Sequence, residues 1–148
     1  MSEPAQQARD GGCMCRAVRY STVGKPLWVV HCHCIDCRRA AGAAFATWVG
    51  YHAEQISFEN ETQRRRYTSS SGVSRSFCAV CGTPLTFEGE KFPGELHIMA
   101  GSLDEPASVR PTHHVWTSEA VPWSIHADGL KRRTGGPGSA YETVPPKA

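Results

Sequence analysis

The chain has 148 residues, 40% of them hydrophobic and 20% charged, a composition typical of a single soluble domain with a modest core. Its longest apolar runs, such as residues 27–30 and 43–46, are far too short to cross a bilayer, so no membrane association is expected. The formal charge of +2 counts every cysteine as neutral, and metal-bound thiolates would make the net charge slightly negative, so this value argues poorly for a nucleic-acid partner.

The N-terminus predicts a flexible leader over residues 1–10. No basic patch followed by an apolar run is present there, so we expect no signal peptide. The seven cysteines are an odd number and are clustered, whereas a secreted disulfide scaffold usually spreads an even number along the chain. We therefore expect a cytoplasmic, metal-binding protein.

Alternating apolar residues and turn residues predict many short strands. In chain order we expect strands at residues 16–23, 27–31, 43–50, 56–58, 64–69, 85–87 and 95–100, and residues 74–78 lead into the second CxxC. One short helix is expected at residues 38–41, where Gly42 should end it. Residues 111–126 are rich in aromatic side chains and should pack onto the sheet. Gly, Pro and charge over residues 131–148 predict a flexible tail, which leaves one mainly β domain over residues 11–130.

Three cysteines fall within six residues, at Cys32, Cys34 and Cys37. A disulfide cannot use all three, whereas zinc favours thiolate ligands in a tetrahedral arrangement. A structural zinc site normally has four protein ligands, so three local cysteines leave one position for another group.

Two further cysteine pairs, Cys13 with Cys15 and Cys78 with Cys81, lie on either side of this triplet. Any two of the three clusters could form a four-cysteine site, which gives three possible pairings. We prefer the pairing that keeps the triplet together, because ligands on one turn converge at the least cost in chain entropy. The two outlying pairs would then form a closed site that links the N-terminal region to the middle of the chain.

An alternative interpretation is that both sites are structural. In that case the second site would take a fourth ligand from His31, His33 or Asp36. Spacing alone does not choose between this arrangement and an open site.

Four runs within residues 11–130 carry a family resemblance. They are Gly12-Cys13-Met14-Cys15, Cys32-His33-Cys34 to Cys37-Arg38-Arg39, Arg75-Ser76-Phe77-Cys78 to Cys81-Gly82-Thr83-Pro84-Leu85, and Gly101-Ser102-Leu103-Asp104. In these runs the sequence resembles the glutathione-dependent formaldehyde-activating enzyme family, which includes centromere protein V. The family usually has glycine directly after its first CxC, and Arg16 stands at that position here.

The resemblance implies a fold of twisted antiparallel sheets with two zinc ions. It implies a structural zinc on Cys13, Cys15, Cys78 and Cys81 and a catalytic zinc on Cys32, Cys34 and Cys37. It also implies carbon–sulfur lyase chemistry, in which glutathione and formaldehyde condense to S-(hydroxymethyl)glutathione. A small thiol such as glutathione is then the expected partner.

Two residues beside the triplet are candidates for catalysis. His33 lies between two ligands and alternates away from them, so it is a candidate proton shuttle, or else it caps a backbone group. Arg38 follows the triplet and could pair with a carboxylate of glutathione, although a solvated surface arginine has the same pattern.

A competing hypothesis is a non-catalytic, zinc-stabilised binding module, in which nucleic acid would be the partner. The clusters lack the interleaved aromatic and basic residues typical of such modules. The sequence therefore favours the zinc enzyme.

Overall fold

The computed structural model describes residues 7–124 and 127–142. Within them the chain forms one α-helix, α1 (Ile35–Ala41), and eleven strands. The strands are β1 (Arg9–Gly12), β2 (Arg19–Thr22), β3 (Trp28–Cys32), β4 (Ala46–His52), β5 (Ile56–Phe58), β6 (Arg64–Ser70), β7 (Val73–Cys78), β8 (Pro84–Gly89), β9 (Glu95–Met99), β10 (His113–Val115) and β11 (Lys131–Arg132). The predicted mainly β fold is confirmed.

The chain divides into two compact units, and each unit is assembled from two separate stretches. The first unit comprises residues 1–27 and 49–109, and the second comprises residues 28–48 and 110–148. The boundary therefore falls inside β4, between Trp48 and Val49. Because each unit is discontinuous in sequence, neither is a segment that could be cut from the chain as a separate domain.

The first unit contains two sheets. Strands β1, β2 and β5 form an antiparallel sheet in the order β1-β2-β5. The other sheet has the order β4-β9-β8-β7-β6, with antiparallel pairing from β9 through β6. An apolar cluster of Val18, Leu85, Cys13 and Cys78 lies in the interior of this unit. Two of the four outlying cysteines thus belong to a hydrophobic core.

The second unit contains the order β11-β10-β3-β4. Here β10 runs parallel to both β3 and β11, so the pairing is mixed and differs from the antiparallel sheets that the resemblance implies. Parallel neighbours need a long connection, and most of the first unit separates β3 from β10 in sequence.

The two ends of the chain contain more regular structure than their composition predicts. Strand β1 begins at Arg9, inside the predicted leader, and β11 pairs with β10 inside the predicted tail. A bridge between Arg133 and Tyr141 follows β11. Residues 1–6 and 143–148 of the leader and tail lie outside the described residues. In the described part of the chain, no helix is long and apolar enough to span a membrane.

The helix α1 begins and ends at recognisable capping residues. Cys34 is its N-cap, and Gly42 ends it with a left-handed φ of 61°. Glycine adopts this conformation without the steric penalty of a Cβ. The predicted stop at Gly42 is confirmed, and the helix begins three residues earlier than predicted because a cysteine sulfur caps it.

Candidate metal centres

The four outlying cysteines meet in the first unit. Their sulfurs all lie within 4.8 Å of one another, with Cys13 and Cys15 separated by 3.6 Å and Cys15 and Cys78 by 3.8 Å. Sulfurs ~2.3 Å from a tetrahedral zinc are separated by about 3.8 Å, whereas a disulfide joins its sulfurs at about 2.05 Å. All four thiols, including that of Cys81, are free, so the cluster fits a tetrahedral metal.

Backbone and hydroxyl groups around this four-thiol cluster donate to its sulfurs. The N–H groups of Val18 and Val80 donate to the sulfurs of Cys13 and Cys78, at 3.2 and 3.4 Å. The Thr83 hydroxyl, 3.1 Å from the sulfur of Cys81, lowers the pKa of that thiol to about 5. Donors of this kind stabilise thiolates, the form that binds metal.

Each cysteine pair lies on a tight turn that ends in a left-handed residue. After Cys78 and Cys81 this residue is Gly82, with φ 78°. After Cys13 and Cys15 it is Arg16, with φ 67°, a conformation that side chains with a Cβ rarely adopt. The turn after Cys15 thus requires a left-handed backbone, which glycine favours. This is the position where the family usually has glycine and this chain has Arg16.

The three remaining cysteines meet in the second unit, where β3 runs into α1. The sulfurs of Cys32, Cys34 and Cys37 lie within 4.8 Å of one another. The N–H of Cys37 donates to the sulfur of Cys34, and Nε1 of Trp48 donates to that of Cys37, both at 3.3 Å. The helix cap and a buried indole therefore orient this three-thiol cluster.

The donor set of the three-thiol cluster fits a cation. Hydrogen bonds with Cys34 and Cys37, together with burial, raise the pKa of the Cys32 thiol far above its ordinary range. Three sulfurs this close do not share negative charge without a positive ion between them. No fourth His, Cys, Asp or Glu joins the group among residues 7–124 and 127–142.

The proposed alternative ligands His31, His33 and Asp36 lie outside this group. Nδ1 of His31 is 2.8 Å from Oγ1 of Thr47, and Nε2 of His33 is 2.8 Å from Nδ1 of His114. Asp36 is exposed in the first turn of α1. The described geometry therefore favours a three-thiol site over a site closed by one of these residues.

The two candidate catalytic residues make contacts with the backbone near the cysteine turn. His33 is fully buried, and its backbone N–H donates to the carbonyl of Val115 at 3.0 Å. Arg38 is half-buried, and its Nε donates to the carbonyl of His33 at 3.4 Å. His33 thus contacts the core of its unit, and its role as a proton shuttle stays a prediction.

Sequence reasoning missed two groups that hold this region. The Glu119 carboxylate accepts the N–H of Ile35 at 2.7 Å, in the first turn of α1. Asp128 Oδ2 lies 2.8 Å from Nε2 of His114, which in turn contacts His33. Both acidic residues are far from the triplet in sequence, so spacing carried no signal for either contact.

Comparisons with known proteins identify the family and the fold. The model of the family described as glutathione-dependent formaldehyde-activating enzyme matches residues 8–119. An uncharacterized lyase of Schizosaccharomyces pombe is 33% identical over 78 residues, which cover 53% of this chain and 56% of the relative, so the chain spans little more than half of that protein. A crystal structure of a Rhodobacter sphaeroides protein is similar in fold, with a TM-score of 0.56 and 20% identity over 69% of this chain and 91% of that one. The chain therefore belongs to the glutathione-dependent formaldehyde-activating enzyme family.

Proposed function

We propose that this protein is a zinc-dependent carbon–sulfur lyase that makes and breaks the adduct of formaldehyde with a small thiol such as glutathione. The observation that carries the proposal is the three-thiol cluster of Cys32, Cys34 and Cys37, which no fourth His, Cys, Asp or Glu joins in the described chain. Family membership supports the substrate class, and the name of the Schizosaccharomyces pombe relative supports lyase chemistry.

The reaction needs no redox partner. In the condensing direction the thiol sulfur bonds to the aldehyde carbon, the carbonyl π bond breaks, and the oxygen takes the proton that the thiol gives up. In the reverse direction the carbon–sulfur bond breaks, the carbonyl π bond forms again, and the hydroxyl proton returns to sulfur. Zinc held by the three thiols would supply a Lewis acid that favours the thiolate form of an incoming thiol.

The chain contributes binding and orientation. We assign Arg38 to a carboxylate of the thiol substrate, because this residue lies in the last turn of α1, on the helix that carries Cys37. We assign His33 to proton transfer, because it lies between two of the cysteines and its contact with His114 holds the ring in one orientation.

The decisive experiment measures the exchange rate between formaldehyde, glutathione and their adduct by NMR, with and without the zinc-loaded protein. We expect the wild type to accelerate exchange and Cys34→Ser to return it to the spontaneous rate. A wild-type rate equal to the spontaneous rate would contradict the proposal.

Two adjacent arginines provide a matched pair for the substrate contact. Arg38→Ala should raise KM for glutathione about 10-fold or more, since a hydrogen bond to a charged group contributes about 1.5–3 kcal/mol. Arg39 is exposed on the same helix, and Arg39→Ala should leave KM unchanged. Equal effects would show that general surface charge, rather than Arg38, attracts the thiol.

The assignment of His33 has its own readout. If His33 transfers a proton, His33→Gln should lower kcat and flatten the pH profile while KM for glutathione stays the same. A loss of metal with an unchanged pH profile in the remaining active fraction would assign His33 to packing instead.

A further inference from the structure

Two histidines and a carboxylate converge in the second unit. None of these three residues belongs to either cysteine cluster. On the parallel strands β3 and β10, His31 lies directly opposite His114 in register. Because side chains at paired positions project to the same face, the two rings lie side by side, with centroids 4.9 Å apart. Asp128 completes the group, with Oδ2 2.8 Å from Nε2 of His114.

We propose that His31, His114 and Asp128 form a third metal site, which binds a divalent transition metal through two imidazole nitrogens and one carboxylate oxygen. One ligand atom from each residue lies within 4.8 Å of the other two. The proposal does not depend on the proposed lyase function, because it concerns binding by residues outside both cysteine clusters.

In each of the two histidines, one ring nitrogen already has a hydrogen-bonding partner. Nδ1 of His31 is 2.8 Å from the hydroxyl oxygen of Thr47, and Nδ1 of His114 is 2.8 Å from Nε2 of His33. Metal-binding histidines usually have their second ring nitrogen fixed by such a partner, which orients the ring. We therefore assign Nε2 of His31 and Nε2 of His114 as the coordinating atoms.

The carboxylate is oriented in the same way. Oδ1 of Asp128 accepts the N–H of Leu130 at 3.0 Å, which directs Oδ2 toward His114. A metal about 2.1 Å from two ligands separates them by about 3.0 Å at a right angle and about 3.4 Å at the tetrahedral angle, so the observed 2.8 Å must widen by about 0.2–0.6 Å. No large rearrangement between Asp128 and His114 is required.

The donor set distinguishes this third site from the cysteine clusters. Two neutral imidazoles and one carboxylate carry a single negative charge and contain no sulfur, so the site prefers zinc, iron(II) or cobalt(II) over soft ions. His114 is fully buried, whereas the side chain of Asp128 is 35% exposed. An ion would thus enter from the side of Asp128 and meet His114 last.

A metal at this site also determines the direction of the hydrogen bond between His114 and His33. With Nε2 of His114 bound to metal, the proton of that neutral ring lies on Nδ1, so His114 donates to Nε2 of His33. The third site would in this way set the orientation of the residue that lies between two cysteines of the triplet.

The test is a cobalt titration of the metal-stripped, full-length protein. Cobalt bound by thiolates gives intense charge-transfer absorption, whereas cobalt bound by nitrogen and oxygen gives only weak visible bands. We expect three equivalents to bind the wild type and two to bind Asp128→Asn and His31→Gln, with the thiolate absorption unchanged in both variants. His113 lies next to His114 on β10, and His113→Gln should keep all three equivalents.

Three outcomes would overturn the proposal. One is saturation of the wild type at two equivalents, which would leave a purely hydrogen-bonded chain from Asp128 through His114 to His33. Another is retention of the third equivalent in both Asp128→Asn and His31→Gln. The last is loss of thiolate absorption together with the third equivalent in both variants, which would mean that no separate site exists.

Discussion

The four-thiol and three-thiol clusters use the same ligand in different settings. Two sulfurs of the four-thiol cluster, those of Cys13 and Cys78, belong to the hydrophobic core of the first unit, and the ligands come from two distant stretches of chain. The three-thiol cluster lies on one continuous turn, where Cys32 and Cys37 are buried and Cys34 is half-buried. We infer that metal at the first cluster maintains the fold and that metal at the second serves the reaction.

The largest expected effect is the loss of the fold when the four-thiol cluster is opened. Cys81→Ser removes one of four ligands that join the two stretches of the first unit. Structural zinc contributes about 10 kcal/mol or more, which equals the whole stability of a typical domain. Circular dichroism and metal counting should show an unfolded chain without bound zinc.

The matched change in the three-thiol cluster should have a different result. Cys34→Ser breaks a ligand set that spans only six residues, so no distant parts of the chain separate. We expect the variant to lose one metal ion and remain folded by circular dichroism. If Cys34→Ser and Cys81→Ser unfold to the same extent, the distinction between the clusters is wrong.

A smaller effect is expected from the indole that donates to the three-thiol cluster. Trp48→Phe keeps an aromatic ring in the buried position but removes the Nε1 donor to Cys37. Loss of such a partner typically lowers metal affinity 10–100-fold. Competition with a chelator measures this change, and Trp123→Phe, at a position that is 76% exposed, is the control. Equal affinities in the two variants would remove Trp48 from the site.

The smallest effect sharpens the comparison between the two turns of the four-thiol cluster. A Cβ at Gly82 meets no atom within 4 Å, so Gly82→Ala tests the left-handed φ of 78° alone and should destabilise by about 1 kcal/mol. Arg16→Gly relieves the same strain at φ 67° and should stabilise by up to about 1 kcal/mol, after the entropy of the unfolded glycine is subtracted. Urea unfolding measures both, and stability changes of the same sign would contradict the account.

The parts of the molecule that the sequence predicted are local. The grouping of Cys32, Cys34 and Cys37 and the helix stop at Gly42 each depend on a few consecutive residues. Such features follow from spacing and backbone preferences, which a single sequence displays directly.

The parts that it did not predict depend on distant pairs. The parallel pairing of β10 with β3 brings His114 beside His31. This pairing depends on the long connection between the two strands. The contacts of Glu119 with α1 and of Asp128 with His114 depend on the same strand pairing. No local pattern distinguishes these acidic residues from others on a protein surface.

The central claim is that the three-thiol cluster accepts one thiol from outside, whereas the four-thiol cluster accepts none. Titration of the cobalt-loaded protein with glutathione tests it directly, because each added thiolate increases the charge-transfer absorption. We predict a saturable increase equivalent to one thiolate per protein in the wild type and no increase in Cys34→Ser. An unchanged wild-type spectrum, or the same increase in both proteins, would contradict the account.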